Sequence, residues 1–152
     1  MDLKFSVFAH VSRPVHEVFE AVADPAQLSA YFTTGGAEGR LDAGATVSWD
    51  FHDFPGRFPV RVVEVEPDRR IVLTWAGHAD GGPAGYHTRV TITFAALDGG
   101  MRTRVEIAEE GWDATQAGLD ASYGNCMGWA QMLAALKLWV EHRINLREGM
   151  YR

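Results

Sequence analysis

At 152 residues the chain is long enough to bury a real core as one domain, residues 1–152, without disulfide or metal staples. Its 47% hydrophobic and 22% charged residues exclude a disordered protein. A net charge of −6 with no Lys/Arg cluster beyond two neighbours excludes a nucleic-acid surface, which needs a concentrated basic footprint.

The opening Met1-Asp2-Leu3-Lys4-Phe5 alternates like a strand and lacks the apolar core of a signal peptide. Leu3, Phe5, Val7, Ala9 and Val11 share one parity against Lys4, Ser6, His10 and Ser12, which predicts a half-buried first strand. Phe8 breaks the pattern and is expected on the outer face. Ser12 or Arg13 is placed at a helix cap with Pro14 in the first turn, and Val15, Val18, Phe19 and Val22 form that helix's inner face. Asp24-Pro25 caps a second short helix carrying Leu28, Tyr31 and Phe32, and the glycines from Gly35 to Gly39 end the pair.

Strands follow. Val47, Trp49 and Phe51 lie opposite Ser48, Asp50 and His52. Between Val60 and Val65 the apolar parity switches from Val60 and Val62 to Val63 and Val65, as a β-bulge would make it, and bulges give a sheet the curvature to wrap a helix. Ile71, Leu73 and Trp75 form the next strand, and Gly77 to Gly85 reads as a loop. Tyr86, Thr88, Val90, Ile92 and Phe94 then pair through Asp98-Gly99-Gly100 with Met101, Thr103, Val105, Ile107 and, if the register continues, Glu109.

One long amphipathic helix, Thr115 to Leu146, closes the sequence with a seam of Leu119, Ser122, Cys126, Trp129, Leu133, Leu136 and Val140. Gln131, Lys137, Glu141 and His142 within it exclude a transmembrane span. The single Cys126 cannot form an internal disulfide, and the chain reads as cytoplasmic. Short hairpins without helical crossovers predict an α+β fold. Its curved antiparallel sheet of six to seven strands wraps the long helix, with two short helices after strand 1.

The segments from Pro14 to Phe19 and Asp24 to Phe32 resemble the opening of the SRPBCC, or START-like helix-grip, superfamily. Glu66-Pro67-Asp68-Arg69-Arg70 leading to Trp75, the hairpin at Asp98-Gly99-Gly100 with Glu110-Gly111-Trp112, and the Gly128-Trp129-x3-Leu133-x2-Leu136 pattern fit its later strands and final helix. Together they look like the branch named for the activator of heat-shock-protein-90 ATPase. The resemblance implies a cavity between the last helix and the sheet; relatives bind lipids, hormones, polyketides or other apolar molecules, and some are enzymes. The large additional domain of the eukaryotic co-chaperone has no counterpart in this sequence, so a chaperone role is not inherited from the name.

Trp129, Leu133, Leu136 and Val140 are expected as core, since burying each contributes about 1.5–3 kcal/mol. Ser122, Tyr123, Cys126 and Met127, with Gly124 and Gly128, make a looser helical stretch suited to a cavity mouth. Tyr31, Phe32, Trp49, Trp75 and Tyr86 are candidate lining residues whose polar tips would orient an amphipathic ligand. Glu109 is the sharpest polar candidate: inward-facing, it would be a buried acid or base with a raised pKa. Fraying or a bulge beside Glu110 favours a solvated Glu109 instead.

Asp50, His52 and Asp53 read as a solvated outer face, and neither they nor His78 and Asp80 have metal-ligand spacing. Gly35-Gly36 and Gly81-Gly82 read as turns, Ser48 and Ser122 lack a nucleophile elbow, and Cys126 reads as an inert thiol. No cofactor, metal or catalytic residue is assigned. The expected function is binding of a small apolar molecule. The alternatives are a cyclase- or hydrolase-like enzyme using Glu109, Tyr86 or Tyr123, and a co-chaperone-like module docking through an outer patch of Phe8, Phe54 and Phe58.

Overall fold

The alternation along the first segment makes β1 (Leu3–Val11), whose Leu3, Phe5, Val7 and Ala9 turn inward while Lys4, Ser6 and Phe8 are exposed. The computed structural model describes residues 1–77 and 85–152. Two short helices follow, α1 (Val15–Ala23) and α2 (Pro25–Tyr31). Asp24 caps α2 as expected, accepting from the Ala26 amide at 2.9 Å. Neither Ser12 nor Arg13 caps α1; Pro14 occupies that position without a side-chain bond, its fixed φ suiting the entry to the helix.

The chain then meanders through β2 (Gly36–Glu38), β3 (Thr46–Phe51), β4 (Phe54–Glu66), β5 (Arg70–Ala76), β6 (His87–Leu97) and β7 (Arg102–Trp112). All pairs are antiparallel in the order β1-β7-β6-β5-β4-β3-β2. The glycine stretch expected to end the helical pair therefore also supplies a short edge strand, β2. The register shift between Val62 and Glu64 is the bulge that the parity switch predicts. Tyr86 lies just before β6, and Met101, 72% exposed, belongs to the turn after the 3₁₀ residues Asp98–Gly100 rather than to the inward row.

The long helix α3 (Gln116–His142) begins at Thr115, which caps the Gly118 amide at 3.1 Å. It stops four residues before the expected Leu146, because Arg143 adopts a left-handed conformation (φ 58°) that reverses the chain. Val140, Leu136, Leu133, Met132 and Trp129 press into the concave sheet, where Val11, Val60, Ile71, Leu73, Val90, Ile92, Val105 and Ile107 complete the core. This is an α+β helix-grip architecture. The residues after α3 fold back as a strap, described below. His78, Asp80, Gly81 and Gly82 lie outside the described residues.

Candidate functional site

Glu109 is an interior residue of an interior strand. β7 continues three residues beyond it to Trp112, and Glu109 faces Phe5 of β1 and Val90 of β6. A bulge does occur, at Gly111 (φ 106°), but it falls after Glu109 and turns Trp112 back to stack on Phe5 at 5.5 Å. The carboxylate is consequently not in solvent, as the sequence favours, but 1% exposed.

Four neutral groups hold it. Trp129 Nε1 donates to Oε1 at 2.9 Å, while Trp75 Nε1 and Thr88 Oγ1 donate to Oε2 at 2.8 and 2.6 Å. Asn125 Nδ2 bridges both oxygens at 3.2 and 3.1 Å. Each donor has a structural reason to be there. Trp75 and Thr88 are direct cross-strand partners, and Asn125 and Trp129 are one turn apart on α3. Among the described residues no cation joins the set. Burial pushes the Glu109 carboxyl above its ordinary range, and the hydrogen bonds from Thr88, Trp75, Trp129 and Asn125 draw it part of the way back.

The indoles belong to a continuous aromatic cluster. Trp75 lies 5.4 Å from Trp129 and 5.8 Å from Trp49, and Phe32 contacts Trp129, Trp49 and Phe51 at 5.4, 5.7 and 5.1 Å. Phe58 joins through Phe51 and Trp75, so it faces this cluster and not an outer apolar patch with Phe8. Phe8 is on the outer face, under the Arg104 guanidinium at 3.7 Å. Trp49 Nε1 is buried without a hydrogen-bond partner among the described residues.

The structure thus brings Phe32, Trp49, Trp75 and Glu109 together. Tyr31 is fully buried nearby in sequence but spends its hydroxyl on the Ala21 carbonyl at 2.9 Å, and burial raises its pKa. The Tyr86 ring packs over Gly77, filling the space a side chain there would need. Ser122 is buried and donates to the Leu119 carbonyl at 2.7 Å; Cys126 is half-buried; Tyr123 and Met127 are 65% and 55% exposed. Aromatic rings meet one another across the interface where the fold leads one to expect a cavity. Two concavities, of about 430 and 220 Å³, include His87 among their lining residues, and neither is lined by any residue of α3. Among the described residues no group of three or more His, Cys, Asp or Glu side chains could hold a metal. No helix among them is long and apolar enough to cross a membrane.

Asp53 departs most from its expected place. It is 1% exposed, not solvated, and accepts from Arg147 Nη2 at 2.9 Å. Asn125 goes unnamed in the sequence reading, which places Thr88 in the strand without a role and favours core for Trp129 over a place in the pocket lining.

The architecture has many solved counterparts. A protein from Staphylococcus saprophyticus, SSP2350, aligns with a TM-score of 0.74 at 25% identity over 97% of this chain and 96% of its own. DynU16, a putative protein in the dynemicin biosynthetic locus, gives 0.77 at 24% identity, covering 94% of this chain and 49% of its own. The Aha1 dimer from Colwellia psychrerythraea gives 0.71 at 15% identity over 91% and 96%. No curated protein matches the sequence. Residues 12–141 match the family described as activator of Hsp90 ATPase homolog 1-like protein, and the chain belongs to that family.

Proposed function

We propose that the protein binds a small apolar or amphipathic molecule between α3 and the sheet, with Glu109 as its polar anchor. The observation that carries this reading is a carboxylate 1% exposed, amid aromatic rings, met among the described residues by neutral donors and no cation. A core that replaced the glutamate and its donors together by apolar side chains would fill the same space without the desolvation cost of a charge, so packing alone does not call for this polar cage. Members of the family commonly bind small ligands, which is compatible with the same reading.

Space for a ligand comes from movement of α3. From Gln116 to Gly128 only Gly118 and Ser122 are buried, whereas Trp129, Met132, Leu133, Ala135, Leu136 and Val140 anchor the rest. Positions 124 and 128 face open space, and Asn125 makes the longest bonds to Glu109. Withdrawing this half of the helix frees Glu109 to receive a ligand hydroxyl or amine, and the unpartnered Trp49 Nε1 can donate to a ligand carbonyl. None of the four Glu109 partners among the described residues titrates near neutrality, which favours recognition over acid–base turnover.

Native mass spectrometry of protein purified from its own cells, followed by organic extraction, tests the reading. A discrete co-purifying small molecule is expected, and its addition to stripped protein should shift the Trp49, Trp75 and Trp129 indole NMR signals. Binding that leaves all three unmoved would place the ligand elsewhere.

A further inference from the structure

The strap from Arg143 to Arg152 is fastened by one side chain of unusual surroundings. Arg147 lies only 8% exposed against Asp53 at 1%, an ion pair removed from water. Its guanidinium stacks over three rings, Phe51 at 4.6 Å, Tyr151 at 5.0 Å and Phe32 at 5.7 Å. The same strap reaches both walls of the grip. Tyr151 hydrogen-bonds Gln131 in the middle of α3 and packs on Phe54 of the β3–β4 hairpin at 5.5 Å. Asn145 supports the turn by accepting from the Arg147 and Glu148 amides at 3.0 and 3.3 Å.

The seat is one ring away from the buried carboxylate. Arg147 covers Phe32, Phe32 contacts Trp129, and Trp129 donates to Glu109. We infer that this strap is a latch on the ligand site. With Arg147 seated among Asp53, Phe32, Phe51 and Tyr151, α3 is tied to the hairpin and the aromatic end stays shut; ligand enters when Arg147 leaves. The inference rests on the ligand site proposed above and adds its gate.

The seat has the character of a reversible contact. Asp53 Oδ2 and Arg147 Nε are buried without hydrogen-bond partners among the described residues, so the pair is held by one hydrogen bond and ring stacking where a guanidinium and a carboxylate can form two. The strap also contributes few apolar anchors: Ile144 is 52% and Leu146 38% exposed. Segments with little buried apolar surface open at the lowest free-energy cost.

The test compares wild type with Arg147→Ala and Arg147→Lys, and with Asp53→Asn in case the first is too unstable to purify. Hydrogen–deuterium exchange follows strap opening, and stopped-flow fluorescence follows entry of N-phenyl-1-naphthylamine, a neutral apolar probe. Arg147→Ala is expected to speed exchange at residues 143–152 and to raise the probe's association rate about tenfold or more, because the competent state becomes more populated. Arg147→Lys, which keeps the charge but loses planar stacking, should fall between. Faster strap exchange with unchanged probe entry in both proteins would overturn the latch while leaving the ligand site intact. An opened strap with no probe binding in any variant would overturn the site and the latch together. Unchanged exchange in Arg147→Ala and Asp53→Asn would show that this pair is not the fastening.

Discussion

Replacing Glu109 by Gln separates the two opposing contributions of the buried carboxylate. Trp75 and Trp129 are obligate donors and they address different oxygens, Oε2 and Oε1. A carboxyl group serves both, but an amide has one acceptor, so one buried indole N–H must lose its partner, at about 1–3 kcal/mol. Thr88 can rotate and Asn125 can flip, so neither adds a second obligatory loss. Against this stands the cost of burying the charge. The folded-state pKa lies above the ordinary 4.5, so between those two values the native state holds more protons than the unfolded chain. The stability associated with the protonated form is thus fully present below the unfolded pKa and lost as pH rises through the folded one. Glutamine does not titrate. The deficit of Glu109→Gln should therefore be widest near pH 4 and narrow on going to neutrality, by about 1.4 kcal/mol for each unit of pKa elevation. Urea unfolding of both proteins across that range gives the difference directly, since other carboxylates titrate alike in both. A gap that widens with pH, or no gap at any pH, would refute the cage as described.

Trp129→Phe removes a donor to the ionised form while keeping an aromatic, though smaller, ring, so the Glu109 carboxyl should titrate still higher by carbon-detected NMR and stability should fall by about 1.5–3 kcal/mol from the lost hydrogen bond alone. Gly118→Ala would set a Cβ 1.9 Å from the Asp113 carbonyl oxygen, and thermal unfolding should show a loss of about 1–3 kcal/mol. Gly124→Ala and Gly128→Ala meet open space, and each should gain about 0.5–1 kcal/mol in the same assay. The exposed His16 has its pKa raised by its 2.9 Å hydrogen bond to Asp68 and by that carboxylate's charge. The pair's contribution is present below 6.5 and disappears as pH rises through the folded value; proton NMR should show the His16 midpoint falling back in Asp68→Asn.

Period-two alternation made the strands legible, and the parity switch at Val60 to Val65 located the bulge between Val62 and Glu64. Asp24-Pro25 likewise announced its own helix. What alternation does not carry is where a strand stands in the sheet. Glu109 looks like a fraying end in a linear reading, because nothing local reveals that β1 pairs beside it from more than a hundred residues away. Its donors come from β5, β6 and α3, and only the register that sets Trp75 opposite Thr88 brings them together. A signal did exist in Asn125 and Trp129, spaced one helical turn apart on the sheet-facing side. Asp53 was misplaced for the same reason: its partner lies 94 residues on, beyond the end of α3.

The sheet order has a consequence for how the chain is made. β2 through β7 can pair as successive hairpins while the ribosome is still working, but β1 waits for β7, and Val7 meets Ile107 only then. Two of the four groups on Glu109, Asn125 and Trp129, emerge later still with α3. Until they arrive, a sheet paired in this order would leave the Glu109 carboxylate open to water on its inner face. Charges in such places repel one nascent sheet from another. The same carboxylate that anchors the finished interior would act beforehand as a guard against premature self-association, a service that an apolar residue could not perform.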